Sequence, residues 1–527
     1  MQKLLLLADE AIALGALDGG LSGVYAYPGT PSTEITEYIQ QSKEASEKNV
    51  HCKWSTNEKT AMEAAVGLSF VGKRAMVCMK HVGLNVAADP FMNSAVTGIN
   101  GGLIILSADD PSMHSSQNEQ DSRYYGQFAQ IPILEPSNQQ EAYDMAYEGL
   151  ELSERLGRPI MLRITTRLAH SRSGVERRPI KAQNELSYPK DPKQFILLPA
   201  IARKRYADLI TSQVLFQESS EKSKFNILKE GSNKKIGIIA CGIAYNYLIE
   251  NINATADCSV LKIGQYPLPR KQIEKMMSEC DSILVIEEGY PLVEESLKGF
   301  TGKALNIHGR LDGTLPRQGE LNPDLVAKAL GIESKSDTII PPVVKMRPPA
   351  LCMGCGHRDM YEALSTVIKE YPKGRIFGDI GCYTLGALPP FGAVDSCLDM
   401  GASITMAKGA ADGGLHPAVA VIGDSTFTHS GITGLLDAVN EKSPITVIIS
   451  DNETTAMTGG QDSAGTGKIE AICMGIGVEK EHIRVFVPLK KNFEEMTKII
   501  REEIEYEGVS VIIPRRECLQ TLKRKKK

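Results

Sequence analysis

No stretch of this chain reaches the roughly 18 uninterrupted apolar residues that a transmembrane helix needs, so a membrane-spanning role is not expected. The N-terminal Leu run of MQKLLLLADEAIALGALDGG meets Asp9 and Glu10 at once, which reads as an amphipathic helix and not as a secretory signal. Charge of one sign is missing too. A net charge of −5 over 527 residues gives no global attraction to nucleic acid, and the basic end from Lys523 to Lys527 reads as a solvated, frayed terminus. The eleven cysteines lack the spacing of a disulfide framework. Reduced thiols and a cytoplasmic location are therefore expected, and clustered cysteines become candidates for metal. The apolar run Ile238-Ile239-Ala240-Cys241-Gly242 belongs to no G-x-G-x-x-G, so a nucleotide reading there is weak.

What is present is a globular composition, 42% hydrophobic and 23% charged, in a chain long enough for about three domains at ~100–200 residues each. Residues 1–185 alternate between strand and helix patterns. Leu4 to Leu14 reads as helix. Val24 to Tyr27 reads as a strand broken by Pro28-Gly29-Thr30-Pro31, with Ser32 or Thr33 capping the next helix. Further strands are expected at Arg74–Met79, Leu103–Ser107 and Ile160–Thr165, which implies a parallel sheet covered on both faces. Residues 186–232 turn charged and irregular and read as a linker with connecting helices. A smaller α/β domain follows at 233–340, with strands at Ile236–Ala240, Cys258–Ile263 and Ser282–Glu287. Ile339-Ile340-Pro341-Pro342 and Arg347-Pro348-Pro349 mark the boundary to a last α/β domain, 345–527.

The most informative stretch is His416 to Gln461. An apolar run, Ala418 to Ile422, ends at Gly423-Asp424; a helix follows with Ile432, Leu435, Leu436 and Val439 on one face; a second strand, Ile445 to Ile449, ends at Asp451-Asn452. Asp424 and Asn452 thus sit past the C-terminal ends of two strands joined by a right-handed crossover, where open α/β sheets bind ligands. Two such oxygen-bearing side chains suit Mg²⁺, which fills its other positions with phosphate oxygens and water. An ordinary βαβ unit with Asp capping the helix would also carry the Gly-Asp pair. The whole pattern, with the tail Thr455-Ala456-Met457-Thr458-Gly459, resembles the diphosphate-binding motif of thiamine diphosphate enzymes. That resemblance implies Mg²⁺ held by Asp424, Asn452 and the Thr454 carbonyl, with donors from Ser425 and the helix N-terminus.

Two features of the first domain extend the likeness. Glu58 opens a helix rich in small residues, Asn57 to Gly67. A Glu there is favoured by the helix dipole alone; in thiamine diphosphate enzymes it hydrogen-bonds the aminopyrimidine ring and promotes loss of the thiazolium proton. Tyr27-Pro28-Gly29-Thr30-Pro31-Ser32 resembles the Tyr-Pro-x-Thr-Pro-Ser loop of 2-oxoacid:ferredoxin oxidoreductases, which implies that Thr30 approaches the substrate carboxylate. In the polar segment Asp109 to Tyr125, Arg123 is either a carboxylate binder, because its fork matches two oxygens, or a surface loop residue.

Cys352-Met353-Gly354-Cys355-Gly356-His357-Arg358 is a C-x2-C, a spacing that puts two thiolates on one metal or cluster. With GDIGCYTLGALPPF, VDSCLDMGASITMAKGA and GDSTFTHSGITGLLDA it resembles the large subunits of the indolepyruvate:ferredoxin oxidoreductase family, over nearly the whole chain. The resemblance implies two thiamine diphosphate-binding-type doubly wound parallel-sheet domains flanking a smaller transketolase C-terminal-like α/β domain. It also implies that Gly381, Tyr383, Gly401 and Gly423 line the cofactor, and that Cys352, Cys355, Cys382 and Cys518 hold a 4Fe-4S cluster, with Glu517 where Pro is usual. A zinc site, or unliganded buried thiols, would use the same cysteines. Cys397 is a spare candidate.

The activity so implied is oxidative decarboxylation of aryl-2-oxoacids to acyl-CoA, with electrons passed through the cluster to ferredoxin. A smaller β subunit and a dimer of heterodimers are expected with it. The sequence departs from the family at its end, where no two-cluster ferredoxin-like run of C-x2-C-x2-C-x3-C precedes Lys527; the electron acceptor is therefore open. A non-oxidative thiamine-dependent decarboxylase or carboligase would need Glu58, Asp424 and Asn452 but no cluster. A non-catalytic electron-transfer or scaffold subunit would need none of these cofactor motifs.

Overall fold

The computed structural model describes residues 3–251, 255–300, 306–317, 319–332, 341–345, 349–397, 399–412 and 414–525. The chain divides into two compact units, Met1–Thr338 and Ile339–Lys527. The expected boundary residues Ile339, Ile340, Arg347 and Pro348, and the terminal Lys526 and Lys527, lie outside the described residues.

The first unit contains two sheets. The larger runs in the order Gln265–Tyr266, Ile133–Leu134, Ile160–Thr165, Leu103–Asp109, Ala75–Lys80, Gly23–Ala26 and His51–Trp54. Its neighbours are parallel except Gln265–Tyr266, which pairs antiparallel with Ile133–Leu134. The three strands Ala75–Lys80, Leu103–Asp109 and Ile160–Thr165 are buried at every position, as continuous apolar runs must be when helices cover both faces. The second sheet runs Asn306–His308, Ser282–Ile286, Asn233–Cys241, Cys258–Ile263 and Ile227–Lys229, with only the last strand antiparallel. A 23-residue helix, Pro199–Glu221, precedes it within the stretch read as a linker. Gln265–Tyr266 follows directly on a strand of the second sheet yet hydrogen-bonds to the first, and one apolar core draws on both sheets, from Leu134 and Leu162 to Ile238 and Leu284.

Two local expectations need correction. Leu4–Leu7 is a strand, not helix; it pairs antiparallel with Arg172–Val175, so its leucines alternate between core and solvent with the period of two that a strand imposes. The helix begins at Ala8 and runs to Asp18, buried on nearly all sides by its Ala and Gly content, so it is not amphipathic. Ser32 stands at the N-cap position of helix Thr33–Gln41 but makes no capping bond; its hydroxyl donates back to the Gly29 carbonyl at 2.8 Å.

The second unit is built on a six-stranded, fully parallel sheet in the order Ser396–Cys397, Arg375–Gly378, Ala418–Gly423, Ile445–Ser450, Ser510–Pro514 and Ile483–Phe486. Apolar clusters cover its two faces, one around Met360, Leu364 and Ile500, the other around Ile404, Leu435 and Ile469. Both units are thus α/β with largely parallel sheets. On helix Ile432–Glu441 the buried face is Leu435 and Ala438, while Leu436 points to solvent. No helix among the described residues is long and apolar enough to cross a membrane.

Candidate active site

In the second unit, strands Ala418–Gly423 and Ile445–Ser450 pair in register from Ala418 opposite Ile445 to Gly423 opposite Ser450. Their C-terminal ends are therefore level, and Asp424 emerges beside Asp451-Asn452. Asp424 is only 2% exposed, and its Oδ2 has no hydrogen-bond partner. Burial, reinforced by the neighbouring Asp451 carboxylate, pushes its carboxyl up to about 7. A buried carboxylate oxygen without a partner is strongly unfavourable unless a cation or proton meets it, so Asp424 fits the Mg²⁺ role that the sequence implies. The chain beyond Asp424 is not a regular helix. A π-helical segment, Phe427–Gly431, interrupts it before helix Ile432–Glu441, a distortion that recurs at functional sites.

Across from it, Asn452 Oδ1 accepts from the Thr454 amide at 3.3 Å. Between them Glu453 adopts a φ of 62°, the left-handed region that non-glycine residues occupy at a cost of about 1–3 kcal/mol. A two-stranded pair, Thr454–Thr455 with Gln461–Asp462, holds this turn, and the Thr455 hydroxyl donates to Ser425 Oγ at 2.9 Å. Asp451 is buried and accepts from Arg515 Nε at 2.6 Å, while the rest of that guanidinium forks onto Glu470.

Tyr383 packs as a brace inside this site. A Cβ added to Gly381 would lie 2.3 Å from its ring, and one added to Gly423 would lie 2.7 Å from it, so both glycines are needed to admit the ring. Its hydroxyl donates to Asp379. Asp379, completely buried, also accepts from Ser403 Oγ at 2.6 Å and from the amides of Gly401 and Ser403, which fixes the start of helix Ala402–Asp412. Desolvation raises its carboxyl to about 6. Sequence reading missed Asp379, although Gly378-Asp379 repeats the strand-end Gly-Asp of Gly423-Asp424.

The four expected cluster cysteines converge. Cys352, Cys355, Cys382 and Cys518 line one cavity of about 110 Å³, together with Asp451 and Asn452. Gly354, at φ 79°, lets the chain turn so that the Cys355 amide donates to the Cys352 carbonyl at 3.1 Å. The Cys518 amide donates to the Asn452 carbonyl at 3.1 Å, tying the last cysteine to the Asp424/Asn452 site. Burial and the three neighbouring cysteines push the Cys382 thiol up to about 12. Two nitrogen groups also face sulfur: Gln520 Nε2 lies 3.5 Å from Cys352 Sγ, and His357 Nδ1 3.5 Å from Cys355 Sγ. Glu517 lines the same cavity and pairs with Lys525 at 2.6 Å. Cys397 does not line it; its thiol donates to the Asp379 carbonyl.

In the first unit, Glu58 is the first residue of helix Glu58–Phe70, which Asn57 caps by accepting from the Thr60 amide at 2.8 Å. Glu58 is buried at 5% exposure. Gly83 makes room for it, since a Cβ there would fall 2.5 Å from Glu58 Oε1. Thr30 is half-buried in the loop after strand Gly23–Ala26. The cation beside this loop is Lys80, whose Cβ lies 3.2 Å from where a Gly29 Cβ would be and whose ammonium donates to the Ser115 carbonyl. Burial lowers the Lys80 ammonium to about 8.

Arg123 is not a carboxylate binder in a cleft, nor a surface residue. It is completely buried, forked onto Asp121, 3.0 Å from Glu287, and bonded to Tyr266 Oη and to the carbonyls of Glu288 and Tyr290. With its donors engaged by groups from both sheets of the first unit, it anchors that core.

Comparison with known proteins finds a thiamine diphosphate-binding family model matching part of each unit. Residues 14–218 match the family model described as pyruvate flavodoxin/ferredoxin oxidoreductase, thiamine diphosphate-binding. Residues 379–513 match the C-terminal thiamine pyrophosphate-binding domain of thiamine pyrophosphate enzymes. The indolepyruvate oxidoreductase subunit IorA of Archaeoglobus fulgidus is 40% identical over 98% of this chain and 86% of its own length. Its counterpart from Methanothermobacter thermautotrophicus is 38% identical over 98% and 87%. Among solved structures, the 2-oxoglutarate:ferredoxin oxidoreductase of Magnetococcus marinus, determined with 2-oxoglutarate, coenzyme A and succinyl-CoA bound, superposes with a TM-score of 0.53. That match covers 62% of this chain and 65% of the other at 14% identity, and it supports the fold alone. By its identity to these relatives over almost its full length, the chain belongs to the family of indolepyruvate oxidoreductase IorA subunits, among the thiamine diphosphate-dependent 2-oxoacid oxidoreductases.

Proposed function

We propose that this subunit, with a smaller β subunit, oxidatively decarboxylates aryl-2-oxoacids of the indolepyruvate type to acyl-CoA and passes the electrons through a 4Fe-4S cluster to ferredoxin. The observation that carries the oxidative reading is the shared cavity: four cysteines open onto the same space as Asp451 and Asn452. A non-oxidative decarboxylase or carboligase has no use for them.

Four thiolates are what a cubane takes, one on each iron, and the metal content separates this reading from a four-cysteine zinc site. The expected result of anoxic purification is about four irons and four sulfides per chain. A folded, thiamine-binding preparation without iron after reconstitution would overturn the oxidative reading, and stoichiometric zinc would make the cysteines structural.

Bound thiamine diphosphate would supply an acidic carbon nucleophile and a sink for the electrons left when CO₂ departs. Glu58, in this reading, hydrogen-bonds the aminopyrimidine ring and holds a proton at its carboxylate. Thr30 contacts the substrate carboxylate. Asp424, Asn452 and the Thr454 carbonyl hold Mg²⁺ at the diphosphate, and Ser425 donates to it, while Gly381, Gly401, Gly423 and Tyr383 shape the wall.

The unpartnered Asp424 oxygen gives this assignment an unusual signature. Asp424→Asn should weaken Mg²⁺-dependent thiamine diphosphate binding in calorimetric titration and raise the melting temperature of the cofactor-free chain, because a costly buried charge is removed. Unchanged cofactor affinity would reject Asp424 as a ligand.

A further inference from the structure

The first unit holds a second convergence of metal-ligating side chains, which the proposed reaction does not use. Asp9, Glu34 and His170 each offer one ligand atom, and the three atoms all lie within 4.8 Å of one another. They come from separate elements: Asp9 from the first turn of helix Ala8–Asp18, Glu34 from the first turn of helix Thr33–Gln41, and His170 from the residue after the turn Thr166–Ala169.

Asp9 is completely buried, and neither of its carboxylate oxygens has a hydrogen-bond partner. Glu34 Oε2 is buried and unpartnered as well. Asp9 has no donor of its own, and burial, then the Glu34 and Glu10 carboxylates, hold its carboxyl well above the usual range, while His170 beside Glu34 keeps the Glu34 carboxyl below it. Buried charges of this kind persist when they are paired or when they coordinate a metal. His170 is the only basic group in the triad, and its Nε2 lies 3.6 Å from Glu34 Oε1. That separation is close to the roughly 3.4 Å between ligand atoms around a tetrahedral ion with 2.0–2.1 Å bonds. The side chains of Glu34 and His170 are 36% and 37% exposed, which leaves an entry path from solvent to the buried Asp9.

We propose that Asp9, Glu34 and His170 form a binding site for a divalent transition-metal ion. The donor set decides the class. One imidazole with two carboxylates suits Mn²⁺, Fe²⁺ or Zn²⁺, whereas Mg²⁺ and Ca²⁺ favour oxygen alone. The bound ion would clamp the N-terminal helix to the helix that follows the Thr30 loop, and so serves to position that loop.

The test uses Mn²⁺ as the probe, because thiolates compete poorly for it. The chelator-treated full-length chain is titrated with Mn²⁺, and the free ion is followed by electron paramagnetic resonance. An Asp424→Asn background removes binding at the diphosphate site. One Mn²⁺ per chain should remain there, and adding Glu34→Gln or His170→Ala should weaken it at least about tenfold. Mn²⁺ should also raise the melting temperature of the Asp424→Asn chain but not of either double variant. Both added substitutions fall on half-exposed side chains, and circular dichroism checks that the chain stays folded. Equal Mn²⁺ affinity in the presence and absence of Glu34 and His170, or no Mn²⁺ bound in the Asp424→Asn chain, would overturn the proposal.

Discussion

Replacing Glu58 by alanine will lower turnover by roughly 10²–10⁴-fold, the usual worth of a positioned proton-transfer group. The affinity for Mg²⁺ and thiamine diphosphate should change little. The reason is a division of labour: Glu58 is assigned to the aminopyrimidine ring and its proton, whereas Asp424, Asn452 and Thr454 are assigned to Mg²⁺ and the diphosphate. Glu58→Gln separates chemistry from packing. It preserves the shape that Gly83 accommodates but cannot accept a proton, so it should be about as slow as alanine. Gly83→Ala gives an independent check, because its methyl group would push on Glu58 Oε1 without altering any titratable group. Steady-state rates with an aryl-2-oxoacid, beside calorimetric titration of the cofactor, measure both quantities. Wild-type turnover in Glu58→Ala would eliminate the assignment.

Cys382→Ser should reduce iron from about four per chain to well below that, abolish the low-temperature spectroscopic signal of the cluster, and bring acceptor reduction to background. Serine is close to cysteine in size, and Cys382 lies at the cavity wall and not in an apolar core, so the chain should remain folded. Cys473→Ser is the matched control. Cys473 is fully buried in helix Ile469–Ile476, does not line the cavity, and should leave the iron content unchanged. If Cys382→Ser keeps full iron and full acceptor reduction, the cavity does not hold the cluster and the electron route must lie elsewhere.

Much of the strand framework was legible in the sequence alone. A buried parallel strand announces itself as a run of β-branched residues, and a strand-end Gly-Asp is encoded in two adjacent positions. The expected strands therefore match the observed ones to within a residue or two at Ala418–Gly423, Ile445–Ser450 and Cys258–Ile263. The same local logic failed at Leu4–Leu7, where four leucines fit either period and pairing with Arg172–Val175, far along the chain, decided for strand. It failed again at Arg123. Nothing near that residue in sequence reveals that Glu287, Tyr266 and the Tyr290 carbonyl will surround it.

The sequence by itself determined the α/β alternation, the family and the candidate site residues, because periodicity, turn residues and short motifs are properties of neighbouring positions. Only the tertiary structure decided which polar groups share a buried space. Cys518 reaches Asn452, Asp379 grips the start of the helix after Gly401, and Asp9 meets His170, because sheets and helices bring distant segments together as they bury apolar surface. Once water is excluded, each such group must find a partner from whatever the packing places beside it, and that choice is written in no local stretch of the chain.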